Sequence, residues 1–395
     1  MGDNEQKMDT NVNKKTREIP NVPNLRFIEY NASWQKCSLK SFTKRVTRKN
    51  VGQVSKRPLT ISAQYGLIDQ SEFFDRQIAS KDMSGYYLLK KGEFAYNKSY
   101  SNDYPWGAVK RLDKYECGAL STLYICFNLD NSIVNSDFIS HYFETNKWHK
   151  GVSDIAGEGA RNHGLLNMSV EDYFLTKHYL PSLIEQEKIS YFLNLITARI
   201  ETQSKIINCL ESLLNEISHH YFGSLSSAEI ALSKIADIYQ PKTISQSECS
   251  ENGTYNVFGA NGIIGKFNQY NHDSPQICIT CRGSTSGNVF MTESYSWITG
   301  NAMVINIDKN LEIVNKTFLY YYLSSMSFKN IISGSGQPQI VREPLMKIKI
   351  KLPSLEEQLR FEKIINSFAS KLQKEKDILA LYKKQKAYLL ANMFI

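Results

Sequence analysis

The 395-residue chain contains no run of eighteen apolar residues, and its mean hydropathy is −0.37, so no membrane span is expected. The opening stretch Met1–Glu18 is polar and lacks an apolar core, which argues against a secretory signal. Cysteine is sparse. The seven present are odd in number and irregularly spaced, which suits reduced thiols in a cytoplasm better than a disulfide framework. Neither charge sign dominates: 47 Lys and Arg against 39 Asp and Glu leave +8. That permits a nucleic-acid or membrane-surface partner without choosing one. Acid is wholly missing from residues 36–57, where Lys36, Lys40, Lys44, Arg45, Arg48, Lys49, Lys56 and Arg57 stand. The positive excess is therefore local.

Catalytic motifs are also lacking. The segment Ala260-Asn261-Gly262-Ile263-Ile264-Gly265-Lys266-Phe267 has neither the first glycine nor the final hydroxyl of a phosphate loop, so it offers no Mg²⁺ ligand. There is no Asn/Asp-Pro-Pro-aromatic motif to grip the amine of a nucleobase. The acidic-x-Lys triplet Glu5-Gln6-Lys7 lies in the polar tail, and a nuclease would need a further carboxylate held beside it in a fold. Cys278-Ile279-Thr280-Cys281 lacks two further zinc ligands at matched spacing, and on a strand its thiols would face opposite ways. His219-His220 suits the end of a helix more than a metal. Gly157–Gly159 and Gly334–Gly336 lack the strand–turn–helix setting of a dinucleotide fingerprint.

What the chain does have is a repeat. Residues 180–186 read Leu-Pro-Ser-Leu-Ile-Glu-Gln and residues 352–358 read Leu-Pro-Ser-Leu-Glu-Glu-Gln, 172 positions later. Both open long stretches without internal Gly or Pro. Ser182 and Ser354 are suited to N-caps, with Glu185 and Glu357 completing capping boxes. Apolar residues recur in steps of three and four: Ile189, Leu193, Ile196, Ile200, Ile207, Leu210 and Leu214, then Phe361, Ile365, Phe368, Leu372, Leu379 and Leu389. Gln203 and Glu375 interrupt the two stripes at the same rung. A sustained step of 3.5 predicts a coiled-coil seam between helices about 60 Å long, with the polar rung fixing register. Two helices packing on separate local cores is the plainer alternative.

The intervening segments are rich in Tyr, Asn, Ser and Gly. Leu120–Phe127, Pro275–Cys281 and Ala302–Ile307 read as strands, and Phe138–Phe143 and Lys316–Leu323 as short helices. The layout is globule, helix, globule, helix: an α+β fold with pseudo-twofold internal repetition.

The two Leu-Pro-Ser-Leu-x-Glu-Gln starts, Gly334-Ser335-Gly336-Gln337-Pro338-Gln339-Ile340, the run Tyr255–Gly265 and Pro23-Asn24-Leu25-Arg26-Phe27 resemble the specificity subunits of type I restriction–modification systems over residues 20–395. The first globule departs from the pattern, with Gly159-Ala160-Arg161-Asn162-His163 in place of the Gln-Pro-Gln run. The resemblance implies two globular α/β target-recognition domains (20–180 and 223–352), separated by two long helices (181–222 and 353–395) packed as an antiparallel coiled coil. A polar, flexible tail over 1–19 precedes them.

It further implies a non-catalytic subunit that reads a bipartite double-stranded DNA site, one half per globule. The helices would serve as ruler and as dock for two modification (methyltransferase) subunits, and restriction (translocase–nuclease) subunits would join. S-adenosylmethionine, ATP and Mg²⁺ would reside on the partners, with no cofactor or metal on this chain, no membrane partner, and a cytoplasmic location. The expected phosphate contacts are Lys40, Lys44, Arg45, Arg48, Lys49, Lys56 and Arg57. Candidate base contacts are Lys98, Tyr100, Lys110, Arg111 and Arg161 in the first globule and Lys266, Arg282, Gln337, Gln339 and Arg342 in the second. The Gln-Pro-Gln run also has an architectural reading. Two alternatives stay open: a coiled-coil adaptor whose globules bind protein, and a DNA-binding specificity module of another restriction class.

Overall fold

The computed structural model describes residues 21–62, 65–73, 80–99, 101, 104–156, 165–244, 248–250, 252–334 and 336–395. The chain forms two compact units. One comprises residues up to Glu201 together with Ala380–Ile395, and the other is Thr202–Leu379. Each unit thus contains part of both long helices, Leu183–Ser224 and Leu355–Met393. The tail over 1–19 lies outside the described residues.

The first unit is built on a four-stranded antiparallel sheet in the order Thr43–Arg45, Ile125–Leu129, Phe94–Asn97, Ala108–Arg111. The second has the same order with Asp237–Tyr239, Ala302–Asn306, Ile277–Thr280 and Val289–Met291. The central strands are buried on both faces, which explains their near-continuous apolar runs. Met303 and Ile305 enter one cluster, whereas Ala302 and Val304 enter another. Cys278 and Cys281 are likewise divided between these clusters, as the strand spacing predicts. The run Leu120–Phe127 is not one strand. Ser121 accepts from the Tyr124 N–H, and the turn divides Cys117–Leu120 from Ile125–Leu129.

After each sheet comes a short helix, Ser136–Tyr142 or Lys316–Ser324, N-capped by Asn135 or Asn315. The glutamine of each Leu-Pro-Ser-Leu-x-Glu-Gln start holds that cap. Gln186 Oε1 accepts from the Asn135 N–H at 2.8 Å, and its amide donates to Ile133 O and Pro181 O. Gln358 does the same to Asn315 (2.8 Å), Ile313 O and Pro353 O. Both glutamines are fully buried, so the shared motif ties each long helix to its own globule.

The capping boxes differ. Ser354 and Glu357 bond reciprocally. Ser182 caps the Glu185 N–H, but the Glu185 carboxylate does not return the bond. It accepts two 2.7 Å bonds from Arg26 and one from the Trp34 indole instead. The expected box is thus half made in the first copy, because a charged guanidinium donating twice outcompetes one backbone N–H. The first helix also runs four residues past His220, to Ser224, so His219-His220 does not close it.

Aromatic rings dominate the first core: Phe94 stacks on Phe127 at 5.5 Å and Tyr96 on Tyr173 at 4.6 Å. Ile189, Leu193, Ile196, Leu389 and Met393 join it from the helices. In the second unit Phe222, Phe361 and Ile365 join Phe318 and the sheet. The helices are antiparallel within each unit. Ile207 is buried, and Leu210, Leu214, Phe368, Leu372 and Leu379 are half-buried along the expected stripe.

Candidate nucleic-acid interface

The acid-free stretch 36–57 does not fold into one free basic surface. Lys40 is exposed on the short helix Leu39–Phe42, and Lys44 and Arg45 are exposed on the edge strand Thr43–Arg45. They rim a cavity of about 380 Å³ floored by Val170, Phe174 and Leu175, with Glu171 3.9 Å from Arg45. Lys56 is also exposed.

Arg48, Lys49 and Arg57 are committed to their own globule. Arg48 donates twice to the buried Glu93 and once to Leu88 O. Lys49 donates to Gly85 O and sits over the Tyr87 ring at 4.7 Å. Arg57 pairs with Asp69 at 3.2 Å and lies 4.1 Å over the Tyr115 ring. A lysine or arginine at these three positions is explained by folding alone.

Cations distant in sequence extend the surface. Lys36, Lys147, Lys150 and Lys177 line a cleft of about 680 Å³ with Asp154 and Asp172. Lys36 belongs to the basic stretch. The other three have no local signal, because only the tertiary fold brings their segments together.

Among the proposed base readers of the first unit, Tyr100 and Arg161 lie outside the described residues. Lys98 is half-buried, and its carbonyl accepts from the Leu166 N–H. Arg111 is structural, bound to Asp113, Asp137 and Ser136. Lys110 lines a cavity of about 450 Å³ beside Glu144 and Lys386, and burial pushes its amine below the usual lysine range.

In the second unit Lys266 is exposed on the hairpin Tyr255–Gly259/Gly262–Phe267. Arg282, Gln337 and Arg342 are exposed as well. The Gln-Pro-Gln run has a clear structural duty. Pro338 O accepts from the Gly283 N–H and the Ser286 hydroxyl, and the Ile340 N–H donates to Cys281 O. The run therefore seals the end of a core strand, while the Gln337 side chain faces solvent. Among the described residues no cluster of His, Cys, Asp and Glu could hold a metal ion, and no helix is long and apolar enough to cross a membrane.

Residues 227–381 match the family model described as the type I restriction modification DNA specificity domain. Among curated proteins, the chain is 28% identical over 118 residues to the EcoprrI type I specificity subunit of Escherichia coli, covering 30% of this chain and 29% of that protein. It is 27% identical over 130 residues to a putative type I specificity subunit of Haemophilus influenzae, covering 32% of each chain. The aligned stretch thus spans about a third of each of these relatives.

The fold matches more widely. A type I S subunit from M. genitalium superimposes with a TM-score of 0.58 at 18% identity, covering 95% of this chain and 99% of that one. A chain from a study of assembly in a type I restriction–modification system gives 0.54 at 15% identity, covering 90% and 96%. At such identities the likeness speaks for the fold. Residues 227–381 are similar to the type I restriction modification DNA specificity domain, and the chain shares the fold of the type I S subunit from M. genitalium.

Proposed function

We propose that this protein is a sequence-specific DNA-recognition subunit of a type I restriction–modification complex, reading a bipartite duplex site with one half per unit. The observation that carries this is the duplicated frame: one sheet order, one capped helix and one glutamine clamp occur twice, with different loops and side chains around them. Two equal frames bearing unequal surfaces suit two unlike half-sites. Lys40, Lys44, Arg45 and Lys56 supply exposed positive charge for phosphates, joined by Lys36, Lys147, Lys150 and Lys177.

The partners follow from the long helices. In the first unit Ile184, Tyr191, Leu195, Leu381 and Tyr388 stand exposed on their outer faces, and in the second Ile206, Leu213, Leu359, Ile364 and Ile378. Apolar residues repeating on a helix face turned away from its core are suited to a protein partner. We assign these faces to two methyltransferase subunits, with translocase–nuclease subunits joining them. This chain is non-catalytic in that scheme, and the S-adenosylmethionine, ATP and Mg²⁺ are held by its partners in the cytoplasm. Methylome sequencing of a host with and without the gene tests the reading. A split adenine-methylated motif present only with the gene is expected, and its absence overturns the assignment.

A further inference from the structure

The net +8 is not shared evenly between the two units. The first, residues 1–201 and 380–395, holds 30 Lys and Arg against 23 Asp and Glu, which leaves +7. The second, residues 202–379, holds 17 against 16, which leaves +1.

The repeated frame locates the difference. Gln35–Ser38 pairs with Lys177–Leu180 in the first unit, and Glu229–Ala231 pairs with Lys349–Lys351 in the second. The 172-residue offset makes Lys349 the counterpart of Lys177 and Lys351 the counterpart of Tyr179. Lys36 lies opposite Tyr179 and Glu229 lies opposite Lys351, so Glu229 is the counterpart of Lys36. The backbone agrees three residues on: the Leu39 N–H donates to Thr176 O as the Leu232 N–H donates to Ile348 O. In this register residues 35–45 carry Lys36, Lys40, Lys44 and Arg45 with no acid, whereas residues 228–238 carry Lys234 with Glu229 and Asp237.

The acids of the second unit face its own cations. Glu229 lies 3.9 Å from Lys349, and Asp237 lies 3.0 Å from Lys309. In the first unit the same ladder sets Lys36 and Lys177, two exposed like charges, on neighbouring strands. Among the described residues no ion pair holds either of them, nor Lys147 or Lys150. All four line the cleft of about 680 Å³ with Asp154 and Asp172. Leu175 walls both this cleft and the cavity rimmed by Lys40, Lys44 and Arg45, so the two meet in one groove. That groove brings together seven cations and the three carboxylates of Asp154, Glu171 and Asp172. Like charges gathered in this way repel one another in the free protein, and a polyanion lying among them relieves the repulsion.

We infer that this groove of the first unit grips the phosphate backbone of DNA and that the matched face of the second unit does not, so the electrostatic share of DNA binding falls mainly on one unit. This rests on the DNA-recognition reading above and divides the work within it: both units read bases, and one holds the strand. Phosphate contacts position a duplex without reading its sequence, so a single set can serve both half-sites.

The test uses the full chain assembled with its modification subunits. Lys36→Gln, Lys147→Gln, Lys150→Gln and Lys177→Gln combined should lower the slope of log affinity against log salt by about three to four, on cognate and random-sequence duplex alike. The methylated motif should keep both halves, since no base contact is lost. Lys309→Gln with Lys349→Gln in the second unit should leave the slope unchanged. Lys36→Glu, which recreates the second unit's pairing opposite Lys177, should lower the slope by about two without lowering the thermal midpoint. Neutral methylphosphonate linkages through one half-site and its flank should weaken the wild-type complex far more than those through the other, and the four-lysine variant should erase that difference. An unchanged slope in the four-lysine variant, an equal fall in the second-unit variant, or equal methylphosphonate effects in the two halves would each overturn the inference. So would loss of the modification subunits at unchanged DNA affinity, which would give the groove to an acidic protein surface. If the wild type shows no preference for any split site, the functional reading fails instead.

Discussion

Gln203 donates to Glu375 twice, to the side-chain carboxylate at 2.5 Å and to the backbone carbonyl at 3.1 Å. The two residues are separated by 172 positions, the offset of the repeat itself. Eighteen residues forward from Gln203 and eighteen back from Glu375, Tyr221 hydroxyl meets Glu357 O, so the antiparallel register continues in step. In such a pair, one rung joins a residue to its own counterpart. Here that rung is polar, and Lys371 braces its carboxylate at 2.9 Å.

Replacing Gln203 by Leu removes a donor and leaves the Glu375 carboxylate against an apolar neighbour. The unfolding midpoint should fall by several degrees. Adding Glu375→Leu should restore or raise it, because two matched apolar residues cost less than a half-satisfied pair. Thermal denaturation of both variants checks this, and a double variant no more stable than the single would refute it.

Adding one heptad to each long helix, within Ile189–Tyr221 and Phe361–Met393, should change the spacer of the methylated motif and leave each half-site as it was. Methylome sequencing of the lengthened protein gives the answer, and an unaltered spacer removes the ruler.

The basic residues should separate into two classes. Lys40→Ala with Lys44→Ala should weaken DNA binding and reduce the salt slope by about two, with stability unchanged. Arg48→Ala should instead lower stability, since it abandons the buried carboxylate of Glu93. Salt titrations and denaturation curves on the same proteins distinguish the two outcomes.

Gln186→Ala and Gln358→Ala should each cost about 2–4 kcal/mol, because each strips partners from one backbone N–H and two carbonyls at a buried site. Denaturant unfolding measures the losses. Similar costs in the two copies are expected from their matching bonds.

His178 is buried between Tyr142 and Thr176. Thr176 hydroxyl donates to Tyr173 O, so it accepts from Nε2–H of the imidazole, and Tyr142 hydroxyl donates to Nδ1. Burial pushes this imidazole down to about 4. The unfolded chain therefore takes up the proton first. The group's contribution is intact above about pH 6.5 and is lost as pH falls towards 4, by at most about 3 kcal/mol. Stability of wild type and His178→Asn compared at pH 7 and pH 4.5 should show the smaller acid loss in the variant.

The helices were legible in the sequence because the stripe from Ile189 to Leu214 and its copy from Phe361 to Leu389 obey local periodicity. The pairing of Gln203 with Glu375 was legible from the repeat. The roles of Gln186 and Gln358 were not, although both stood in the quoted motif, because their partners lie about fifty residues upstream. At Arg48, Lys49 and Arg57 composition counts charge but cannot see Glu93, Gly85 or Asp69 folded against it. Lys147, Lys150 and Lys177 are invisible for the converse reason, each standing in an unremarkable local context. Gln337 is the intermediate case. Its motif was read as either a DNA contact or architecture, and the Pro338 bonds account for the motif without using that side chain.

Arg26 holds Glu185 at the start of the first long helix, and one residue earlier the Leu25 N–H donates to Asn392 O near the end of the second, at 2.9 Å. The backbone from Leu25 to Asn392 is thereby drawn into a closed circuit. Along it, globule and helix alternate twice, and neither copy holds a privileged first place. A chain cut in an exposed loop and rejoined across this contact would traverse the same circuit from a new starting point.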